Sequence, residues 1–102
     1  DFARNVKLLL EKEFWGLYNM VCDGITGRFE VAQELIKVLN LESKVKVTPV
    51  GSEFWKGEYF ADRPPSERLI NRKLDARGLN VMRDWRVCLE EYIDNYYRGF
   101  LK

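Results

Sequence analysis

Histidine is absent from this chain of 102 residues. That absence excludes His–Ser and His–Cys catalytic pairs, histidine metal ligands and a histidine-based pH switch. Cysteine is scarce: Cys22 and Cys88 lie far apart without a Cys-x-x-Cys pair, so a zinc site is not expected. An excess of positive charge is also missing, with 17 Lys and Arg against 16 Asp and Glu. A nucleic-acid partner is therefore not expected.

Long apolar runs are missing as well. No stretch approaches the roughly 20 apolar residues that a membrane span requires. The opening, DFARNVKLLL, has too short an apolar run, interrupted by Lys7, to be a signal peptide. We therefore expect a cytoplasmic protein without a membrane partner. Because both cysteines have apolar neighbours, we interpret them as buried, reduced thiols, with a disulfide as the alternative.

The sequence does contain enough apolar material for one folded domain. Hydrophobic residues make up 46% of the chain and aromatic residues 14%, which is the composition of a globular protein. A domain of this length should bury roughly two thirds of the surface of its unfolded chain. The first residues already follow a helical pattern and no initiator Met precedes them. We expect a single domain over residues 1–102, excised from a longer chain.

The hydrophobic pattern of the first half predicts an α/β fold. Apolar residues at helical spacing predict an amphipathic helix over about residues 1–13, and Thr26 is a candidate N-cap for a second helix over about 27–40. Residues 17–22 resemble a buried strand, and the alternation of residues 44–50 predicts a half-exposed one. Strand, helix and strand together predict a β-α-β unit with parallel strands and a right-handed crossover.

The second half predicts a loop followed by a long helix. Residues 51–67 look irregular, and loops of this length inside a domain are usually functional or mobile. This loop carries four aromatic residues: Phe54, Trp55, Tyr59 and Phe60. Residues 69–76 predict a short strand and a helical turn that ends near Gly78. Asp84 is expected to cap a helix that runs to about residue 100.

Two short segments could bind an anion. In Asp23–Gly27 two glycines precede a helix, so backbone N–H groups could cradle a phosphate; the alternative is a plain turn. The other segment is Asp62–Arg68, in which two prolines follow Arg63 and stiffen the backbone. They fix the direction of the Arg63 guanidinium, a group that binds phosphate or carboxylate well. The alternative is a weak surface pair, either Arg63 with Asp62 or Arg68 with Glu67. The sequence contains no nucleophile with a positioned base, no metal-ligand set and no dinucleotide fingerprint.

An ordered series of motifs resembles one known family. The series comprises Asp1-Phe2-Ala3, Gly16-Leu17-Tyr18-Asn19, Phe29-Glu30-Val31-Ala32, VKVTP at 45–49, ADRPPSERLINRKL at 61–74, RGLNVMRDWR at 77–86 and LEEYI at 89–93. It is similar to the C-terminal end of the dTDP-4-dehydrorhamnose reductase family. Members of that family are extended short-chain dehydrogenase/reductases that act on nucleotide sugars. Asn19, Glu67 and Ile70 stand where that family commonly has His, Ser and Asp, which leaves the exact sugar open.

The resemblance implies the small C-terminal, substrate-binding lobe of a Rossmann-type enzyme, with the dinucleotide-binding domain outside this chain. The parent enzyme would use NADPH or NADH to reduce a 4-keto sugar in dTDP-rhamnose biosynthesis. The family's glycine-rich fingerprint and Tyr-x-x-x-Lys pair do not occur in these residues, so the chain alone is expected to be inactive. The resemblance makes Arg63 the residue directed at the diphosphate of the nucleotide sugar, with Arg68 and Lys73 as weaker candidates.

Several alternatives stay open at this point. The parent could be a nucleotide-sugar epimerase of the same superfamily, or a non-catalytic regulatory or interaction subunit on the same fold. The chain could also be an unrelated α/β interaction module, which a fold without parallel pairing of residues 17–22 with 45–49 would favour. A homodimer of the parent is compatible with the resemblance. The aromatic residues of the 51–67 loop would either wall the substrate cleft or pack the loop, and we favour packing.

Overall fold

The structure is a computed structural model that describes residues 1–55, 57 and 64–100. One compact unit contains Asp1–Ile25 and the described residues from Arg68 onward, and a second contains the described residues between Thr26 and Glu67. The described elements are α1 (Phe2–Glu11), α2 (Arg28–Val38), a 3₁₀ helix (Ser52–Trp55), α3 (Arg72–Ala76) and α4 (Trp85–Tyr96). Across these residues, every helix falls short of the length and apolar character that a bilayer span needs.

The predicted α/β class is wrong for the described residues, which are helical and contain no β-strand. Their one isolated β-bridge is parallel and joins Asp23 to Asp84. In it, Asp23 N–H donates to the Arg83 carbonyl at 2.9 Å, and Trp85 N–H donates to the Asp23 carbonyl at 3.1 Å. The predicted β-α-β unit, with residues 17–22 paired to 45–49, is therefore not formed.

Side chains take the place of a neighbouring strand along residues 17–22. The Asn71 side chain donates to the Val21 carbonyl at 2.7 Å and accepts from Val21 N–H at 2.9 Å. Lys73 Nζ donates to the Leu17 carbonyl at 3.2 Å. In the other unit, Val45 N–H bonds the Leu41 carbonyl, which is a turn contact and not a ladder contact. An alternating sequence favours an extended backbone, but only tertiary neighbours decide whether that backbone joins a sheet.

The helix predictions are confirmed for α1, α2 and α4, with shifted ends. Asp84 caps α4 as predicted, since its carboxylate accepts from Arg86 N–H at 2.8 Å. The predicted N-cap of α2 is wrong: Gly27 occupies that position, and the Glu30 carboxylate reaches back to accept from Gly27 N–H at 3.0 Å. A short strand and a helical turn were predicted for residues 69–76, but only the helix α3 is present there. After α3 the backbone adopts a left-handed conformation at Gly78, with φ of 63°.

A small apolar core holds the first unit together. Leu9 from α1, Leu74 from α3 and Leu79 are buried in contact with one another, and Leu74 is fully buried. Three partly buried side chains, Leu8, Tyr18 and Met20, pack against this cluster. Burying each aliphatic side chain of this size contributes about 1.5–3 kcal/mol. The core therefore fixes α3 against α1 and against the extended segment that precedes Val21.

A fully buried asparagine provides a second polar clamp in the same unit. The Asn5 side chain donates to the Leu79 carbonyl at 3.0 Å and accepts from Val81 N–H at 3.0 Å. Its exposure is 0%. Asn5 and Asn71 thus each satisfy one donor and one acceptor of an extended backbone segment, which helices alone could not pair.

An ion-pair network links the start of α1 to α4. The Asp1 side chain is 1% exposed. Its carboxylate accepts hydrogen bonds from the Arg83 backbone N–H, Nε and Nη2 at 2.7–2.9 Å, and it does not cap α1. Arg83 also pairs with Glu91, to which Arg4 donates as well. The hydrogen bond from Arg83 first, and that from Arg4 second, hold the pKa of the Glu91 carboxyl below its ordinary value.

This network makes stability sensitive to acid. Because the Glu91 pKa is lower in the folded chain, its contribution is present above the ordinary value of 4.5 and is lost as the pH falls through the folded-state pKa. We expect the thermal midpoint of the unchanged chain to fall more steeply below pH 4.5 than that of Glu91→Gln. Melting curves read by circular dichroism across a pH series measure this. Glu90→Gln, at an exposed position on the same helix, should keep the steep fall; parallel profiles for Glu91→Gln and the unchanged chain would contradict the assignment.

Candidate functional site

An open groove of about 440 Å³ lies in the first unit, between the extended segment after α1 and the short helix α3. Its lining comprises Leu17, Asn19, Arg72, Lys73 and Ala76. The volume falls within the range of small-molecule sites. Two of the five lining side chains are cationic, and the chemistry of the groove therefore suits an anionic ligand.

The core and the Asn71 clamp together aim these cations outward. Asn71 is turned inward to Val21, and Leu74 is turned inward to the leucine core. Arg72 and Lys73 lie between these two inward positions and are exposed. Because Leu74 faces inward, the helical spacing places the side chains of Arg72 and Lys73 at the wall of the groove.

Tyr18 holds two cations in place beside the groove. Lys73 Nζ lies 4.5 Å from the centroid of the Tyr18 ring while it bonds the Leu17 carbonyl. Arg77 bonds the Tyr18 hydroxyl, and its guanidinium lies 5.5 Å from the same ring and 4.9 Å from the Phe14 ring. Contacts between a cation and an aromatic face are attractive. They restrict the Lys73 ammonium before any ligand arrives.

The three residues predicted to bind substrate have different outcomes. Lys73 lines the groove. Arg68 is exposed in the same unit but does not line it. Arg63 lies outside the described residues, as do Tyr59 and Phe60 of the aromatic loop. Phe54 is 63% exposed.

Sequence reasoning missed Arg72, Arg77 and Tyr18. One signal for Arg77 was available, because Lys73 and Arg77 are four residues apart and four-residue spacing places side chains on one helix face. No local signal pairs Tyr18 with α3, because that contact joins segments more than fifty residues apart in the chain.

The glycine-containing turn Asp23–Gly27 does not fit the phosphate of a dinucleotide. The Glu30 carboxylate already accepts from Gly27 N–H, and a Cβ on Gly27 would come within 2.7 Å of that carboxylate. Gly24 has φ of 86°, and a Cβ there would lie 2.9 Å from the Asp84 carboxylate and 3.0 Å from the Trp85 ring. The positive φ and the close packing require glycine at position 24, and Glu30 occupies Gly27 N–H, so the turn interpretation is favoured over the phosphate cradle.

Comparison with known proteins gives one match. The family model described as the RmlD substrate binding domain matches residues 2–98. The matched range includes every groove-lining residue and both asparagine clamps. Searches among curated proteins and among solved structures returned no match.

Proposed function

Because the chain belongs to the RmlD substrate binding domain family, we propose that it is the nucleotide-sugar-binding portion of an NAD(P)H-dependent, dTDP-4-dehydrorhamnose reductase-like enzyme. The match over residues 2–98 carries this proposal. The sequence motifs quoted above support it from nearly the full length of the chain. A cytoplasmic setting for the parent enzyme belongs to the same proposal.

The redox chemistry is assigned to a Rossmann-type portion outside this chain. In the described residues, Gly27 N–H of the turn before α2 is already bonded to the Glu30 carboxylate, which supports placing the cofactor outside this chain. In the parent, the nicotinamide would supply hydride to the 4-keto carbon, and a Tyr–Lys pair beyond this chain would supply the proton. The share of this chain is to bind and orient the nucleotide sugar.

The groove at α3 is the proposed diphosphate subsite. A diphosphate carries the charge that Lys73 and Arg72 complement, and charge-assisted hydrogen bonds to phosphate are the strong ones. Asn19 adds an amide that both donates and accepts, which suits sugar hydroxyls. An amide does not transfer protons as the family's common histidine could, so position 19 contributes binding and not catalysis. Arg63 and Arg68 stay in the proposal as further diphosphate ligands on the sequence resemblance.

One observation favours the alternative of an unrelated interaction module: the described residues lack the parallel pairing of residues 17–22 with 45–49. The family match is the stronger observation, because it extends over residues 2–98 and does not depend on one pairing.

Replacing Lys73 by methionine tests the groove. We expect dTDP-glucose to bind the variant about ten-fold or more weakly, because a charge-assisted phosphate contact contributes about 1.5–3 kcal/mol. Isothermal titration calorimetry of the 102-residue chain measures the Kd. Lys7→Met, at an exposed lysine of α1 paired with Glu11, is the matched control and should leave the Kd unchanged.

Two further results bear on the same proposal. Arg63→Ala in the same titration should also weaken binding, and an unchanged Kd would remove Arg63 from the site.

Free glucose should not bind measurably, because it lacks the diphosphate. The isolated chain should not oxidise NADPH with any keto sugar; turnover by the chain alone, or equal binding by Lys73→Met and Lys7→Met, would overturn the assignment.

A further inference from the structure

The two cysteines meet in the first unit although they are 66 residues apart in the chain. Their sulfurs are 3.7 Å apart, and both residues are half-buried free thiols. Cys22 donates to the sulfur of Cys88, and Cys88 donates to the nearly buried Asp1 carboxylate at 3.1 Å. The two thiols and the Asp1 carboxylate therefore form a chain of hydrogen bonds that ends in the ion-pair network.

Backbone contacts, and not the sulfurs themselves, hold the two residues together. The isolated bridge places Asp23, next to Cys22, on the first residues of α4 through hydrogen bonds with Arg83 and Trp85. Asn71 fixes Val21 on the other side of Cys22. Cys88 lies in the first turn of α4, where its N–H donates to the Asp84 carbonyl at 3.2 Å. These hydrogen bonds do not involve the sulfurs, so the two cysteines lie close together whether or not a disulfide is present.

We propose that Cys22 and Cys88 form a redox modification site, a dithiol that closes to an intrachain disulfide in the presence of a low-molecular-weight disulfide such as oxidised glutathione. A disulfide bond is about 2.05 Å long, so the sulfurs must approach by only about 1.7 Å. Closure removes the Cys88 hydrogen bond to Asp1. The Asp1 carboxylate keeps its contacts with Arg83 and is not left unpaired.

The reaction balances as two successive thiol–disulfide exchanges. The thiolate of one cysteine attacks oxidised glutathione, forms a mixed disulfide and releases one glutathione. The thiolate of the other cysteine attacks the protein sulfur of that mixed disulfide, forms the Cys22–Cys88 bond and releases the second glutathione. The two cysteine protons end on the two released thiols, and the two electrons reduce glutathione disulfide. Burial raises the pKa of the Cys88 thiol, which keeps that thiol protonated near neutral pH.

Closure encloses a long stretch of chain and should raise stability. The loop between the cysteines contains the second unit and all of α3. Linking residues so far apart restricts the unfolded chain strongly, and we expect the urea midpoint to rise by about 1–2 M on oxidation. Neither cysteine lines the groove, so disulfide formation does not depend on the proposed ligand.

The test uses the 102-residue chain in mixtures of reduced and oxidised glutathione, blocked afterwards with N-ethylmaleimide. Intact mass spectrometry should show an oxidised monomer without either adduct, and non-reducing peptide mapping should link Cys22 to Cys88. The oxidised fraction should not change over a ten-fold range of chain concentration. Glutathione bound to both cysteines, or disulfide-linked dimers in place of the intrachain bond, would overturn the proposal.

Single-cysteine variants provide the controls. Cys22→Ser and Cys88→Ser should each stop at the mixed disulfide, and neither should gain urea resistance on oxidation. Cys22→Ser leaves the Cys88–Asp1 hydrogen bond in place, so the comparison stands even if Cys88→Ser does not fold. A rise in the urea midpoint of an oxidised single-cysteine variant, equal to that of the unchanged chain, would also refute the proposed bond.

Discussion

Leu74→Ala is expected to lower the free energy of unfolding by about 3 kcal/mol. Leu74 is fully buried and forms the leucine core together with Leu9 and Leu79. Truncation removes buried methyl groups and leaves a cavity, and such changes cost about 2–5 kcal/mol. The loss also bears on the proposed function, because burial of Leu74 directs Lys73 to the groove. Binding of dTDP-glucose should therefore weaken in the same variant as α3 loosens.

Urea unfolding followed by tryptophan fluorescence measures this loss, since Trp85 is buried at the start of α4 in the same unit. Leu69→Ala is the matched control. Leu69 is the same residue type just before α3, but it is 53% exposed. Its replacement should change stability by only about 0.5 kcal/mol. Equal losses at the two positions would show that the leucine core does not organise this unit.

Asn5→Ala is expected to lower the free energy of unfolding by about 2–3 kcal/mol. The Asn5 side chain is fully buried and pairs with the Leu79 carbonyl and the Val81 N–H. Its removal leaves a backbone donor and acceptor without their protein partner, and each unsatisfied buried group costs about 1–3 kcal/mol. Circular dichroism during urea unfolding measures the loss. Asn95→Ala, at an exposed position on α4, should be close to neutral.

Asn5→Asp separates the hydrogen bonds from the packing at this position. Aspartate keeps the volume and the acceptor for Val81 N–H, but an ionised carboxylate cannot donate to the Leu79 carbonyl. Burial should raise the pKa of the new carboxyl. The Asp variant should therefore be more stable below the ordinary Asp pKa and lose stability as the pH rises. If Asn5→Asp matched the unchanged chain at neutral pH while Asn5→Ala did not, lost volume and not lost hydrogen bonding would be the cause.

Sequence reasoning succeeded where a feature depends on nearby residues. The 3.6-residue periodicity predicted α1, α2 and α4, and the short polar side chain of Asp84 predicted the start of α4. The ordered motifs predicted the family that the match over residues 2–98 shows. Each of these signals is contained in a few consecutive residues or in their order.

The groove was predictable only in part. Lys73 was among the proposed ligands, but it was chosen by resemblance and not by geometry. The contacts that place it, from Lys73 to the Leu17 carbonyl and to the Tyr18 ring, join residues more than fifty positions apart. The meeting of Cys22 with Cys88 is non-local in the same way. Side-chain pairings at this separation leave no periodic trace in the sequence.

The sequence by itself determined the helices α1, α2 and α4, and the family to which the chain belongs. Only the tertiary structure decided that the extended segments stay out of a sheet. An extended backbone needs partners for its N–H and C=O groups, and any donor or acceptor at the right distance satisfies them. Here the side chains of Asn5 and Asn71 fill that role. Local patterning specifies the conformation of a segment, whereas its hydrogen-bond partners depend on which distant residues the packing of the core brings alongside.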